Sequence, residues 1–321
     1  MLHSTIFDKI LVFPQGLCYP IGIAGSLFLG YGDVCPHMLR KAPHGAGEED
    51  HMEGDRNQLE ALLPNIAAQM RGALSNLHLA AAQLVPAAQR EQDPDLDARA
   101  ALLDQSYYQL LRLAGNLSAA AMLQSDAPLS LQDGDIVEAV SSLCEQTASL
   151  AELAGVHLSF RCAMDHHVCA FCREGVEQLL FQLLSNAVKF TPQGGSVTVE
   201  LKCAGGKVLL SVADTGCGME PEQLETLFDR YRSGNPMVPV PHGLGLGLAL
   251  CQRVAQGHGG SLMAESHLGQ GSRFTVSIPD RQCGITEISD VRFDYSGGFN
   301  RALLALSDAL PARAFLLRNQ D

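Results

Sequence analysis

Two stretches of three–four apolar spacing constrain this chain most. From Gln58 to Val85 the apolar residues fall at 59, 62, 63, 66, 70, 74, 77, 81 and 84, one face of a long helix. Pro64 should kink or restart that helix near its beginning. A second stripe, at 102, 103, 107, 110, 114, 117 and 121, runs from about Asp97 to Leu123. Pro86 to Pro94 forms a turn-rich break, so the two helices should fold back as an antiparallel hairpin. A lone hairpin leaves its stripe facing water. Either a second copy covers it as a homodimeric four-helix bundle, or the hairpin packs on its own chain.

After the hairpin, strands and helices alternate. Helices are predicted over 136–153, 173–189 and 247–257. Strands are predicted over 156–161, 168–171, 196–202, 207–213, 261–266 and 272–278. Strands on one side and helices on the other give a two-layer α/β sandwich, so the fold class is α+β. The hairpin domain is expected over 58–125 and the sandwich over 130–280, with a polar linker at 41–57. The extension 281–321 reads as a strand (291–295), a helix (299–309) and a short strand (314–317) packed on the sandwich.

A net charge of −13 argues against a nucleic-acid partner. Residues 10–32 carry no charge, but Pro14, Pro20, Gln15 and five glycines break the run. It reads as a short hairpin rather than a membrane span. Ten scattered cysteines are not a secreted disulfide framework, and the expected compartment is the reducing cytoplasm. Cys169 and Cys172 form a CxxC near His166 and His167. A metal there would need four well-placed ligands, and the alternative is a buried strand leading into a helix.

Four elements carry the chemistry. Gln182, Asn186 and Lys189 share one helix face, where an amide oxygen suits Mg²⁺ and a lysine can meet a phosphate. Asp214 ends a strand and enters Thr215-Gly216-Cys217-Gly218. A carboxylate fixed there can accept an adenine amino proton while the glycines let backbone close over the base. Leu227-Phe228 follows on the next helix. Gly243-Leu-Gly245-Leu-Gly247 then opens a helix whose amides favour a phosphate. It is neither a dinucleotide fingerprint nor a Walker loop.

Residues 183–192, 214–219, 227–228 and 242–249 resemble the N, G1, F and G2 boxes of sensor histidine kinases. Residues 257–260 and 269–274 resemble the same family's closing strands. The ATPase fold class is shared with gyrase, heat-shock chaperones and mismatch-repair ATPases, and the upstream hairpin points to the kinases. The resemblance implies binding of ATP and Mg²⁺ through Asn186 (the metal ligand), Lys189, Asp214, Gly216, Gly218, Gly243, Gly245 and Gly247. It also implies a homodimer, a response regulator as partner and a two-component signalling role. Residues 1–40 resemble the first third of a PAS sensor domain.

The chain departs from the family at the phosphoacceptor. Asn65-Ile-Ala-Ala68-Gln-Met-Arg71 stands where the family carries His-Glu-Leu-Arg-Thr-Pro, with Ala68 for the histidine and Gln69 for the acid. A methyl group cannot form a phosphoramidate, nor an amide act as base. Gln182 also replaces an asparagine common in the family. Three readings follow: a signalling protein without orthodox autophosphorylation, an active kinase using His78 or a partner's histidine, and a nucleotide-dependent dimeric binding module.

Overall fold

The computed structural model describes residues 48–124, 128–225, 227, 246–285 and 300–319. The segment read as PAS-like, the uncharged run at 10–32 and the strand expected at 291–295 lie outside them. Helix α1 (Glu48–Leu84) and helix α3 (Pro94–Gln124) form the expected hairpin, joined by a short helix α2 (Ala87–Gln92). Two details differ from expectation. The described helix already includes Glu48, inside the supposed linker. Pro64 lies within one unbroken helix rather than restarting it.

The hairpin seam uses only part of the broad stripe. Ala67 and Ala114 are fully buried, and Arg71 Nη1 donates to Ser118 Oγ at 2.9 Å across the seam. Leu62, Ile66, Leu77 and Leu84 on α1, with Leu102, Leu103 and Leu110 on α3, remain exposed. Arg90 fastens the bend: its guanidinium donates to Asp97 and Asp104, each at 2.8 Å, and to the Phe315 carbonyl at 3.2 Å. This buried cation has three acceptors, which is what makes its burial tolerable.

The sandwich follows. Strand β1 (Gln132–Asp135) pairs antiparallel with β3 (Val168–Phe171), a pairing its polar sequence does not announce. Asp135 caps helix α4 (Ile136–Leu153), accepting from the amides of Val137 and Glu138 at 3.0 and 3.4 Å. The main sheet has the order β2-β4-β5-β7-β6. Its strands are β2 (His157–Cys162), β4 (Ser196–Ala204), β5 (Lys207–Asp214), β6 (Ser261–His267) and β7 (Gly271–Pro279). Only β2 and β4 run parallel; the other neighbours are antiparallel.

Helices α4, α5 (Arg173–Phe190) and α7 (Leu246–Gly257) cover one face, and α6 (Pro221–Glu225) is a single turn. On α5 the residues Val176, Leu179, Leu180, Leu183, Leu184, Ala187 and Val188 are all buried. Each such leucine stabilises the packed layer by about 1.5–3 kcal/mol. Strand faces alternate as a half-covered sheet requires, with Val197, Val199 and Leu201 buried on β4.

Residues 300–319 of the C-terminal extension form a wedge on the core. Asn300 caps helix α8 (Arg301–Leu306), and Leu303, Leu306, Leu310 and Phe315 join the main core. The strand expected at 314–317 is instead two 3-10 turns, Ala312–Phe315 and Leu317–Asn319. Pro311 opens the first, and no strand among the described residues pairs with the segment. Gln105 and Gln109 donate to the Leu310 and Ser307 carbonyls, and Arg313 to the Leu153 carbonyl. The wedge therefore ties α3 to α4. No helix among the described residues is long and apolar enough to cross a membrane.

Candidate nucleotide site

Helix α5 runs through the middle of the site. Its last residue, Phe190, meets the Asp214–Gly218 turn, because the Cys217 amide donates to the Phe190 carbonyl at 3.3 Å. Gln182, two turns earlier, meets the start of α7. A Cβ added at Gly247 would come within 2.8 Å of Gln182 Oε1. Asn186 lies between them, half-buried. The helix face that sequence spacing picks out is thus the floor between the two glycine-bearing segments.

Asp214 is fixed by backbone. Its Oδ1 accepts from the Gly216 amide at 2.8 Å and the Ser272 amide at 3.2 Å. Burial raises its pKa, and those two bonds oppose the shift. Both bonds fall on one oxygen, so Oδ2 keeps acceptor capacity. The glycines are there because nothing larger fits. Gly218 has φ +67°, and a Cβ would sit 2.0 Å from the His267 carbonyl oxygen. At Gly216 a Cβ would lie 2.5 Å from the Phe190 carbonyl oxygen.

The β6–β7 turn completes this wall, whereas the sequence reading placed residues 269–274 only among the closing strands. Gly271 (φ +86°) packs against the Asp214 carbonyl, and the Met219 amide donates to Ser266 Oγ at 2.9 Å. The signal was present as Gly269-Gln-Gly271-Ser272, four residues that bend a strand back.

Lys189 stands in company that the sequence did not reveal. Burial lowers its pKa; Arg112 on α3 lowers it further and Asp308 of the wedge opposes both. Arg112 Nη1 lies 3.1 Å from Asp308, and Arg112 Nη2 donates to Gln182 Oε1 at 3.3 Å. Gln182 Nε2 donates in turn to Asn116 Oδ1 at 3.4 Å. Gln182 is therefore engaged with the hairpin. Leu227 packs on the core, whereas Phe228, Gly243 and Gly245 lie outside the described residues. The enclosed void between the layers, about 10 Å³ and lined by Val176, Leu179, Val254 and Ile278, is a packing gap too small for a ligand.

On α1, Ala68 and Gln69 are both exposed. His78 is held in the seam, stacked on Tyr107 with centroids 4.2 Å apart, its Nδ1 3.8 Å from Asp104. The CxxC does not act as a unit. Cys169 is buried in β3, while Cys172 precedes α5 and its amide donates to His258 Nε2 at 2.9 Å. His166 turns to Asp135 at 2.6 Å.

Residues 173–282 match the family described as histidine kinase-, DNA gyrase B-, and HSP90-like ATPase. The histidine protein kinase DivJ of Caulobacter vibrioides is 35% identical over 182 residues, covering 56% of this chain and 30% of DivJ. The sensor histidine kinase RppB of Synechocystis sp. is 30% identical over 277 residues, covering 85% of this chain and 58% of RppB. The chain thus spans less than two thirds of either relative. The crystal structure of full-length ShkA in complex with AMPPNP superposes with a TM-score of 0.55 at 26% identity, over 69% of this chain and 46% of ShkA. Residues 173–282 thus carry an ATPase domain of the class shared by histidine kinases, DNA gyrase B and HSP90, and the relatives that this chain is similar to are sensor histidine kinases.

Proposed function

We propose that this chain is a dimeric two-component signalling protein that binds Mg·ATP and carries out no orthodox autophosphorylation. One contrast carries the reading. The Asp214–Gly218 turn is closed to side chains and open to a base, while exposed position 68 presents only a methyl group.

Each residue has a part in that reading. Asp214, anchored through Oδ1, offers its second oxygen to the adenine amino group. Gly216 and Gly218 keep the wall flat against the base. Asn186 presents an amide oxygen suited to Mg²⁺, and Lys189 a cation one turn away for a phosphate. Gly247, in the first turn of α7, puts its amide where a phosphate chain is favoured, and the resemblance adds Gly243 and Gly245 to that set. When bound, Mg·ATP supplies a phosphoryl group whose charge the metal neutralises. What the chain lacks is an imidazole at 68 to receive that group and a carboxylate at 69 to take its proton.

The stacking of His78 between the hairpin helices counts against its use as acceptor, because a nucleophile must come within about 3 Å of the reacting phosphorus. The ShkA complex with AMPPNP supports the nucleotide assignment. The exposed leucines of α1 and α3 support a second copy as partner and favour a second reading. In it, nucleotide stabilises a cytoplasmic dimer that docks a response regulator without phosphotransfer. Calorimetric titration with Mg·ATP tests the core of both. Saturable binding in the natural chain is expected, and its absence would sink the nucleotide assignment.

A further inference from the structure

A second polar cluster lies at the opposite end of the sheet from Asp214. Strand β5 begins at Lys207, paired with Pro279, and ends at Asp214, next to the pair Ala213–Arg273. Its eight residues separate the two ends by about 23 Å at the ~3.3–3.4 Å rise of a strand. At the Lys207 end, His167, Cys203 and Asp280 come together, one ligand atom from each lying within 4.8 Å of the other two. His167 Nε2 is 2.8 Å from Asp280 Oδ1.

We propose that His167, Cys203 and Asp280 form a binding site for a borderline-soft divalent cation, with zinc(II) the best match, remote from the nucleotide. Nitrogen, sulfur and oxygen from these three side chains are the donors that zinc(II) accepts. Tetrahedral zinc with bonds of about 2.0–2.3 Å places its ligand atoms about 3.3–3.8 Å apart. The three atoms need only side-chain adjustments to reach that spacing. Binding breaks the His167–Asp280 contact, displaces the Cys203 thiol proton to solvent, and leaves neutral imidazole, thiolate and carboxylate around the ion. Two negative charges then balance the two positive ones, which suits a half-buried position.

The backbones bearing these ligands are already fixed, which lowers the ordering cost of binding. The His167 amide donates to Asp135 Oδ1 at 3.1 Å, and its carbonyl accepts from the Ile136 amide at 3.0 Å. Cys203 sits in the β4–β5 ladder opposite Val208. The Asp280 amide donates to the Gly206 carbonyl at 2.9 Å. His167 and Asp280 keep about a quarter of their side-chain surface open, so an ion can reach them. The fourth position is left for water, as in zinc sites that remain open. The bound ion would staple the β2–β3 connection to β4 and to the end of β7.

The test uses the full chain, untagged, reduced and stripped with chelator, titrated with cobalt(II) and then zinc(II). One equivalent of tight cobalt uptake is expected, with a sulfur-to-cobalt charge-transfer band that zinc(II) abolishes. Cys203→Ser should remove the band, and His167→Gln or Asp280→Asn should weaken uptake by at least about 100-fold, since even an outer-shell change costs 10–100-fold. Cys172→Ser, outside the cluster, should bind as the natural chain does. Circular dichroism confirms that each variant is folded. No uptake by the natural chain, or a band that survives both Cys203→Ser and Asp280→Asn, overturns the proposal.

Discussion

The Asp214 turn and the outer face of the hairpin are opposite kinds of surface. At the turn, backbone and carboxylate are locked together, and an added methyl at Gly216 or Gly218 would collide with a carbonyl oxygen. On the hairpin, Leu62, Leu77 and Leu103 stand exposed, and exposed Ala68 offers only a methyl group. One surface is specified atom by atom for a ligand; the other is specified only as apolar area. Phosphotransfer within the chain needs chemistry on both. A dimer that senses nucleotide needs chemistry on one and area on the other.

That difference can be broken first on the hairpin. Leu77 is 66% exposed in the single chain, so Leu77→Asp should leave the fold intact while placing a charge in the proposed dimer seam. We expect dimer affinity to fall by about 100-fold or more, roughly 3 kcal/mol. Light scattering should show half the natural mass with an unchanged circular dichroism spectrum. An undisturbed dimer would mean that the exposed leucines face something other than a second copy.

Next comes the turn. Gly218→Ala must adopt a positive φ and move the His267 carbonyl, costing about 2 kcal/mol or more. Nucleotide binding should be lost while light scattering still reports the natural mass. Asp214→Asn is gentler. An amide oxygen can keep both backbone bonds, so the melting temperature should change little, but a charge-assisted bond to adenine is lost. Calorimetry should show affinity for Mg·ATP lower by about 1–3 kcal/mol.

A smaller effect probes the joint between α5 and α7. His258 is buried and accepts from the Cys172 amide through Nε2, while its Nδ1 lies 2.7 Å from the Val254 carbonyl. Both contacts together require the neutral ring. Burial lowers its pKa below the ordinary 6.5. The unfolded chain then binds the extra proton first, so stability is complete above about pH 6.5 and is lost as pH falls through the folded value. The slope from this group is at most about 1.4 kcal/mol per pH unit. His258→Gln should flatten the acid limb of a melting-temperature profile. An unchanged limb would remove His258 from the explanation.

Much of the sandwich was legible because local signals agreed with one another. Helix α4 and strand β3 occupy their expected spans, 136–153 and 168–171, since Asp135 marks a cap and Val168 to Phe171 an apolar run. Strand β1 was not legible: Gln132-Asp-Gly-Asp135 has no alternation, and only pairing with β3 makes it a strand. Among site residues, Asp214, Gly216 and Gly218 fall within one run of five and announce a turn. Arg112, Lys189 and Asp308 gather from three distant segments, as do His167, Cys203 and Asp280. No periodicity links such positions; tertiary packing alone brings them together.

The proposed function joins a nucleotide site at Asp214 to a position 68 that offers no acceptor. Incubating the purified chain with ATP labelled on its terminal phosphate tests that directly. Saturable retention of nucleotide with almost no acid-labile label on the chain is predicted, and Ala68→His with Gln69→Glu should raise that label by returning acceptor and base together. Strong acid-labile labelling of the natural chain would contradict the account, and its loss in His78→Ala would identify His78 as the acceptor.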